Sequence, residues 1–348
     1  MTSDSVPRVS VICAAYNGQA FLPKTIDALI GQTEKNFEVI VVDDASTDGT
    51  SRLLSGITDP RFKIIKNEIN QRLIFTRNRA IENSNAPYVA VTDQDDVSSL
   101  SRLAVQASVL DRDPALSAVY SYVSAIDATG SPTTGLPDWP YSGETARAGL
   151  IFHNFVTHSS LMFRRNCAPD PVYSSEYPLC EDYNLLVQLA DKGSGLALIK
   201  DRLIDYRYHA SNHSKSTVTE MSSLSRQLRK NLLARLGLVP SEGELRLHDA
   251  FESSVSCPSV QFYRELRDWA LHLKDSNRRS GYVTQSDFDY VLSSEWLSVS
   301  HRFSGFGRES WAIFTSGPSL FRPHQYLELT KLWLKTRRAR AGSRLREV

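Results

Sequence analysis

Through its first 130 residues the chain alternates between two hydrophobic periods, and this alternation constrains its fold more than any other feature. Residues 8–14, RVSVICA, form an apolar, β-branched run that predicts a buried strand. Phe21, Leu22, Thr25, Ile26, Leu29 and Ile30 then recur at helical spacing. A second buried-strand pattern covers 37–42, followed by a short helix carrying Leu53 and Leu54, with Ser46, Thr47 and Asp48 as caps. Strands at 62–65 and 87–92 flank a helix at 74–84. Leu100, Leu103, Ala104, Ala107 and Leu110 line the next helix, and 116–126 is β-rich. Strands apolar on both faces, separated by amphipathic helices, predict an α/β fold with a mostly parallel sheet covered on both sides.

From about 130 to 148 the chain is rich in Gly, Pro, Ser and Thr and reads as a long loop. Strands are expected at 155–164 and 196–208, with a helix at 181–192 closed by Gly193. Beyond about 215 the pattern turns helical: Leu224, Leu228, Leu232 and Leu233, then Tyr263, Leu266, Trp269, Ala270 and Leu273. A boundary near 215–220 divides a domain of residues 1–217 from a helical extension, 218–348.

Two strands end in acids: 37–42 runs into Asp43-Asp44, and 87–92 into Asp93-Gln94-Asp95-Asp96. Ligands of such sheets collect at the carboxyl ends of the strands. Three carboxylates in four positions repel each other unless something positive sits among them. On the residues alone the cluster is either an exposed turn or a cation site.

Composition narrows the alternatives. Apolar residues make up 41% and charged residues 23%, as in soluble globular proteins, and no apolar run approaches a membrane span of ~18 residues. The start, MTSDSVPRVS, does not read as a signal sequence, so a cytoplasmic protein is expected. Cys13, Cys167, Cys180 and Cys257 lack metal-site spacing and are expected as reduced thiols. The net charge of +1 hides an asymmetry: residues 331–348 hold seven Lys/Arg and one Glu, leaving 33 basic and 38 acidic residues in the rest. A slightly acidic body speaks against nucleic acid as partner. The basic end is either a solvated helical tail or a contact for an anionic surface. The loop AAYNGQ after the first strand lacks the G-x-G-x-x-G of dinucleotide enzymes and the Gly-rich basic loop of nucleotidyltransferases, and the chain has no P-loop.

VSVICAAYNG, ALIGQT, FEVIVVDDASTDGT, TRNRAI, YVAVTDQDD, THSSLMFRR, CEDYNLLVQLADKG and DYRYHASNHS occur in this order over residues 8–215. Together they resemble the family 2 glycosyltransferases. The resemblance implies the GT-A nucleotide-diphospho-sugar transferase fold and transfer of a sugar, with inversion, from a nucleoside diphosphate to an acceptor. It implies Mn2+ or Mg2+ at Asp95, with His209 as a second ligand or phosphate contact, and Asp93 toward the sugar or ribose. Ala14, Tyr16 and Asn17 would then line the nucleotide pocket. Tyr16 would stack on the base and Asp44 accept its ring N–H, which favours a UDP- or dTDP-sugar. Arg77 becomes a partner for phosphate or base, Arg207 a contact for the phosphates, and Asp182 the general base. A catalytically inactive sugar-nucleotide-binding scaffold of the same fold is the alternative.

Each of these residues also has a plainer reading. Tyr16 and Asp44 could be a packing aromatic and a helix cap, Arg77 a surface arginine, and Glu181-Asp182 caps for the helix they open. His158 could be structural, and Arg164 and Arg165 either bind acceptor or face solvent. One departure stands out: the family usually has glycine soon after the position of Asn70, where this chain has Gln71-Arg72-Leu73. The resemblance further implies a glycan or lipid-linked acceptor in bacterial surface-polysaccharide synthesis. Trp333 and Leu334, beside Lys331, Lys335, Arg337 and Arg338, would then suit peripheral contact with the inner membrane face. Otherwise 218–348 packs on the catalytic domain or forms a homodimer surface.

Overall fold

A computed structural model describes residues 6–135, 137–209, 218–252, 259–318 and 325–338. The chain divides into two compact units, one of residues 1–146 and 155–224, the other of 147–154 and 225–348. The boundary expected at 217/218 falls at the edge of the undescribed segment 210–217, and the units change seven residues later, inside the helix Val218–Arg235.

The first unit is an eight-stranded sheet: β1 (Val9–Ala15), β2 (Phe37–Asp43), β3 (Phe62–Lys66), β4 (Tyr88–Asp93), β5 (Val97–Ser98), β6 (Ala118–Ile126), β7 (Met162–Arg164) and β8 (Leu196–Arg207), in the order β3-β2-β1-β4-β7-β6-β8-β5. β3, β2, β1 and β4 are mutually parallel, β7 runs antiparallel between β4 and β6, and β6 and β8 are parallel. Apolar residues on both faces of β1, β2 and β4 are buried, as near-continuous apolar runs require. The intervening helices are α1 (Leu22–Ile30), α2 (Thr50–Ser55), α3 (Arg72–Glu82), α4 (Arg102–Arg112) and α6 (Glu181–Ala190), while α5 (Glu144–Gly149) begins in this unit and ends in the other. α1 buries Leu22, Ile26 and Leu29 while Ile30 turns outward, and α4 buries Leu103, Ala107 and Leu110 while Leu100 lies before it, exposed. The register sets Ala15 beside Asp43 and Ala14 beside Asp93, so the acid-bearing ends of β2 and β4 flank the end of β1, where the strand order switches direction.

Two expectations need correction. Residues 155–164 are not one strand: a 3-10 turn, His158–Ser160, precedes the three-residue β7. The reason lies in α4, where Gln106 Nε2 donates to Ser160 O at 2.7 Å, so a side chain takes a carbonyl a ladder would use, whereas Leu161 O accepts from Val91 N of β4 at 3.0 Å. α6 ends at Ala190, capped by Asp191, before Gly193 turns at φ +53°. Gly193 has close neighbours too: a Cβ there would lie 2.1 Å from Ala115 O.

The second unit is helical: Glu242–Asp249, Val260–Ser280, Gln285–Arg302, Arg308–Thr315 and Tyr326–Arg338. Ser241 and Glu244 form a reciprocal capping box, and Gly281 in the left-handed region ends the longest helix. Tyr263 packs against Trp296 and Phe303, with ring centroids 5.0 and 4.3 Å away, beside buried Leu266, Ala270 and Leu273. Cys13, Cys167 and Cys180 are free thiols, and Cys257 lies outside the described residues.

Candidate active site

The loop leaving β1 is held by the middle residue of the acidic motif. Gln94 Oε1 accepts from Tyr16 N at 2.9 Å and Gln94 Nε2 donates to Tyr16 O at 3.1 Å, an amide clamp that leaves the Tyr16 ring exposed at the rim. Gly18 fits because it has no side chain: a Cβ there would meet Gln94 Oε1 at 2.3 Å. Asn17, at φ +50°, donates its N–H to Ser46 Oγ and accepts from Thr47 N with Oδ1, joining the loops after β1 and β2. Ala45 and Arg72 also have positive φ, +58° and +67°. Non-glycine residues in this region gather at functional sites. Arg72 adopts a glycine-like conformation just past Asn70, where the departure from the family pattern lies.

Asp44 is buried and shapes that second loop. Its carboxylate accepts from Asn67 Nδ2 at 2.6 Å, Gln71 N at 2.8 Å and Arg72 N at 2.9 Å. Asp43, also buried, accepts from Ser46 N and Ser51 Oγ. Ala14 sits half-buried on β1 beside Asp93.

Arg77 is the centre of the arrangement. Buried on α3, it donates through Nη2 to Asp93 Oδ1 at 2.8 Å and through Nη1 to Glu181 Oε1 at 2.7 Å, with its guanidinium over the Tyr173 ring. Asn78, next on α3, holds the Tyr173 backbone by two hydrogen bonds. One cation therefore ties the end of β4 to the first turn of α6, where half-buried Asp182 follows Glu181. Burial pushes the Glu181 carboxyl up to about 7, against the opposing pull of Arg77 and with the help of the Asp182 charge. Asp182 Oδ1 accepts from Tyr183 N at 2.7 Å.

Asp95 and Asp96 diverge. Asp95 Oδ2 meets His209 Nε2 at 2.7 Å, and the His209 ring packs on Phe21. Burial and the charge of Asp93 raise the Asp95 pKa, while His209 lowers it. Asp96 is buried and structural, accepting from Ser159 Oγ and from Arg207 N at 2.9 Å. Arg207 is also buried; it donates to Asp95 O at 2.9 Å and Asp127 O at 3.1 Å, with its guanidinium over Phe21. Thr25 of α1 ties down the turn by donating to the carbonyls of Gln94 and Asp96. A carboxylate and an imidazole that converge supply two ligands for a divalent ion. No group of three His, Cys, Asp or Glu side chains suited to a metal occurs among the described residues, so other positions would fall to ligand oxygens and water.

The sequence reading missed Arg102. Fully buried at the start of α4, it donates to Val91 O at 2.7 Å and Ser98 Oγ at 3.1 Å, and places a positive charge beneath Asp93 and Asp96. Burial lowers its pKa to about 10. The available signal was Arg102 and Gln106 one turn apart on an otherwise apolar helix face. His158 is buried beside Tyr173, its Nε2 at 2.9 Å from the hydroxyl, and burial holds its pKa well below the usual value. Arg164 and Arg165 are half-buried and donate to the carbonyls of Leu116 and Ala86 at 2.8 Å each.

Comparison with known proteins places the chain among glycosyltransferases in sequence and fold. The family model described as Glycosyl transferase family 2 matches residues 10–168. The UDP-Glc:alpha-D-GlcNAc-diphosphoundecaprenol beta-1,3-glucosyltransferase WfaP of Escherichia coli is 27% identical over 66% of this chain and 87% of its own. The amylovoran biosynthesis glycosyltransferase AmsB of Erwinia amylovora is 29% identical over 57% of this chain and 68% of its own. The crystal structure of S. aureus TarS 1-349 in complex with UDP-GlcNAc aligns with a TM-score of 0.54 at 16% identity, covering 94% of this chain and 89% of that one, and shares its fold.

Proposed function

We propose, this chain being a family 2 glycosyltransferase of the GT-A fold, that it moves one sugar with inversion from a UDP- or dTDP-sugar to a glycan or lipid-linked acceptor in bacterial surface-polysaccharide synthesis. The observation that carries this reading is the Asp93–Arg77–Glu181 bridge, because it holds the acidic end of β4 and the Asp182 turn of α6 against one guanidinium. Leaving-group binding and proton removal are the two demands of the reaction, and they belong on opposite sides of the sugar.

In the proposed reaction the acceptor hydroxyl oxygen attacks the anomeric carbon, its proton passes to an Asp182 carboxylate oxygen, and the bond from the sugar to the diphosphate breaks. Asp95 and His209 would hold Mg2+ or Mn2+, which when bound supplies positive charge to the departing diphosphate. Tyr16, clamped by Gln94, offers its ring to the base. Asp44 and Asn17 shape the pocket, and Ala14 leaves room beside Asp93. Arg77 and Arg207 hold the acids in place. The names of WfaP and AmsB support a UDP-linked donor, a diphospholipid-linked saccharide as acceptor and a biosynthetic role.

No helix among the described residues is long and apolar enough to cross a membrane. The reading places the protein in the cytoplasm, peripheral to the inner membrane face. Tyr326–Arg338 exposes Tyr326, Leu327 and Leu334 beside Lys331 and Lys335, whereas Trp333 is half-buried with Arg337 over its ring at 4.2 Å. Residues 339–348 lie outside the described chain.

A thermal-shift screen of nucleotide sugars with and without Mn2+ or Mg2+ tests the reading. A ligand at 100 times its Kd stabilises by about 2.7 kcal/mol, so the correct donor with metal should raise Tm by roughly 5 °C or more. No shift with any nucleotide sugar would overturn it.

A further inference from the structure

His209 reaches the acidic turn from beyond the end of β8, and the sheet fixes where it arrives. β8 pairs with β6 up to Ser121 and Ile199, carries extra residues through a bulge, and pairs again from Val123 and Ile204 to Ile126 and Arg207. Tyr208 N then donates to Ile126 O at 2.8 Å. The imidazole stands two residues past the strand, where the ladder does not set its side-chain torsions. Phe21 supplies a surface for it. This half-buried residue caps α1 and closes the loop that starts at Tyr16, its N–H donating to Gly18 O at 3.1 Å. Its ring centre lies 4.5 Å from that of His209 at a tilt of 32°, and the Arg207 guanidinium stands 5.2 Å from it. Both neighbours grip one residue: His209 Nε2 meets the Asp95 carboxylate, and Arg207 Nε donates to Asp95 O.

The contact between His209 and Asp95 cannot aim the imidazole once an ion is loaded. A ring nitrogen that binds a cation has no proton left to share with a carboxylate. Loading this pair therefore trades their hydrogen bond for two ligand bonds. The Phe21 contact uses the face of the imidazole and neither nitrogen, so it survives that exchange. Ligation also draws electron density from the imidazole, and an electron-poor ring is held more firmly by an aromatic face. Partners that orient a ligating histidine through its other nitrogen change metal affinity by roughly ten- to a hundredfold. A ring-to-ring contact contributes less, about fivefold in affinity.

We propose that Phe21 is a positioning residue whose ring face keeps the His209 imidazole aimed at the divalent cation that Asp95 and His209 bind. The proposal rests on that metal assignment, and its test separates the two. Mn2+ is titrated into the full chain at fixed UDP, and bound ion is read from the loss of its electron paramagnetic resonance signal beyond that caused by UDP alone. Phe21→Leu should weaken binding about fivefold, Phe21→Tyr, which keeps the face, should stay within about twofold of wild type, and His209→Ala should lose more than either. In the His209→Ala background Phe21→Leu should cost nothing further, a result that a general packing role would not give. Urea unfolding establishes that each variant is folded, and Phe21→Met takes the place of Phe21→Leu if the latter is not. Equal affinity of the face-lacking variant and wild type, or the same loss with and without His209, would overturn the positioning role. Failure of folded wild type to bind Mn2+, or an unaffected His209→Ala, would overturn the metal assignment and the positioning role with it, while a thermal shift with nucleotide sugar would leave the transferase reading standing.

Discussion

Glu181 and Asp182 are neighbours in sequence and opposites in environment. Glu181 is buried against Arg77, and Asp182 stands half-buried at the same helix start. Asp182→Asn should lower turnover by about a thousandfold, within the range of general-base losses, while nucleotide affinity stays nearly constant. Transfer assays beside nucleotide titrations measure both. Asp95→Ala should abolish the metal-dependent part of the thermal shift, read with and without chelator. Glu181 yields a pH prediction. Its folded pKa of about 7 exceeds its ordinary 4.5, so the folded chain holds the proton more tightly. The associated stability is full below pH 4.5 and is lost as pH rises to about 7, at up to about 1.4 kcal/mol per pH unit. Urea unfolding from pH 4.5 to 8 should show this decline in wild type and a flatter profile in Glu181→Gln; equal slopes would refute the assignment. At this scale the strand-end acids were legible because charge after an apolar run is conspicuous. Arg102 was not, because its partners Val91 O and Ser98 Oγ are set by tertiary packing.

Elements make the site by sharing small connections. Gln94 links β4 to the loop after β1, and Arg77 links α3 to both β4 and α6. Gly18→Ala should break the first link, since the Gln94 amide cannot keep both Tyr16 hydrogen bonds and yield to a Cβ. Nucleotide-sugar affinity should fall about tenfold, with stability lowered by no more than about 1 kcal/mol. Titration calorimetry and urea unfolding check the two halves. Alternating strands and helices were readable from periodicity, since buried strands are apolar throughout and helices only on one face. The 155–164 segment misled because an apolar run looks the same whether ladder partners or side chains such as Gln106 take its carbonyls.

For the whole molecule, the change in period near residue 215 announced the helices of the C-terminal part. The inclusion of 147–154 in the second unit had no local signal, because membership depends on contacts distant in sequence, such as Ile151 O with His248 Nε2 at 2.9 Å. The basic end belongs to this scale too. Full-length protein should float with vesicles rich in anionic lipid, and a chain truncated at 325 should float less, with the difference shrinking as salt rises. Equal flotation of both would refute the membrane contact. The bulge in β8 has an evolutionary corollary. Because the extra residues lie outside the pairing, the bulged stretch can be lengthened, shortened or grafted while the ladder on either side, Leu196–Ile199 and Ile204–Arg207, stays in register. A lineage, or a protein engineer, could diversify that stretch as an exchangeable cassette and leave the bond-making machinery at the strand tips intact.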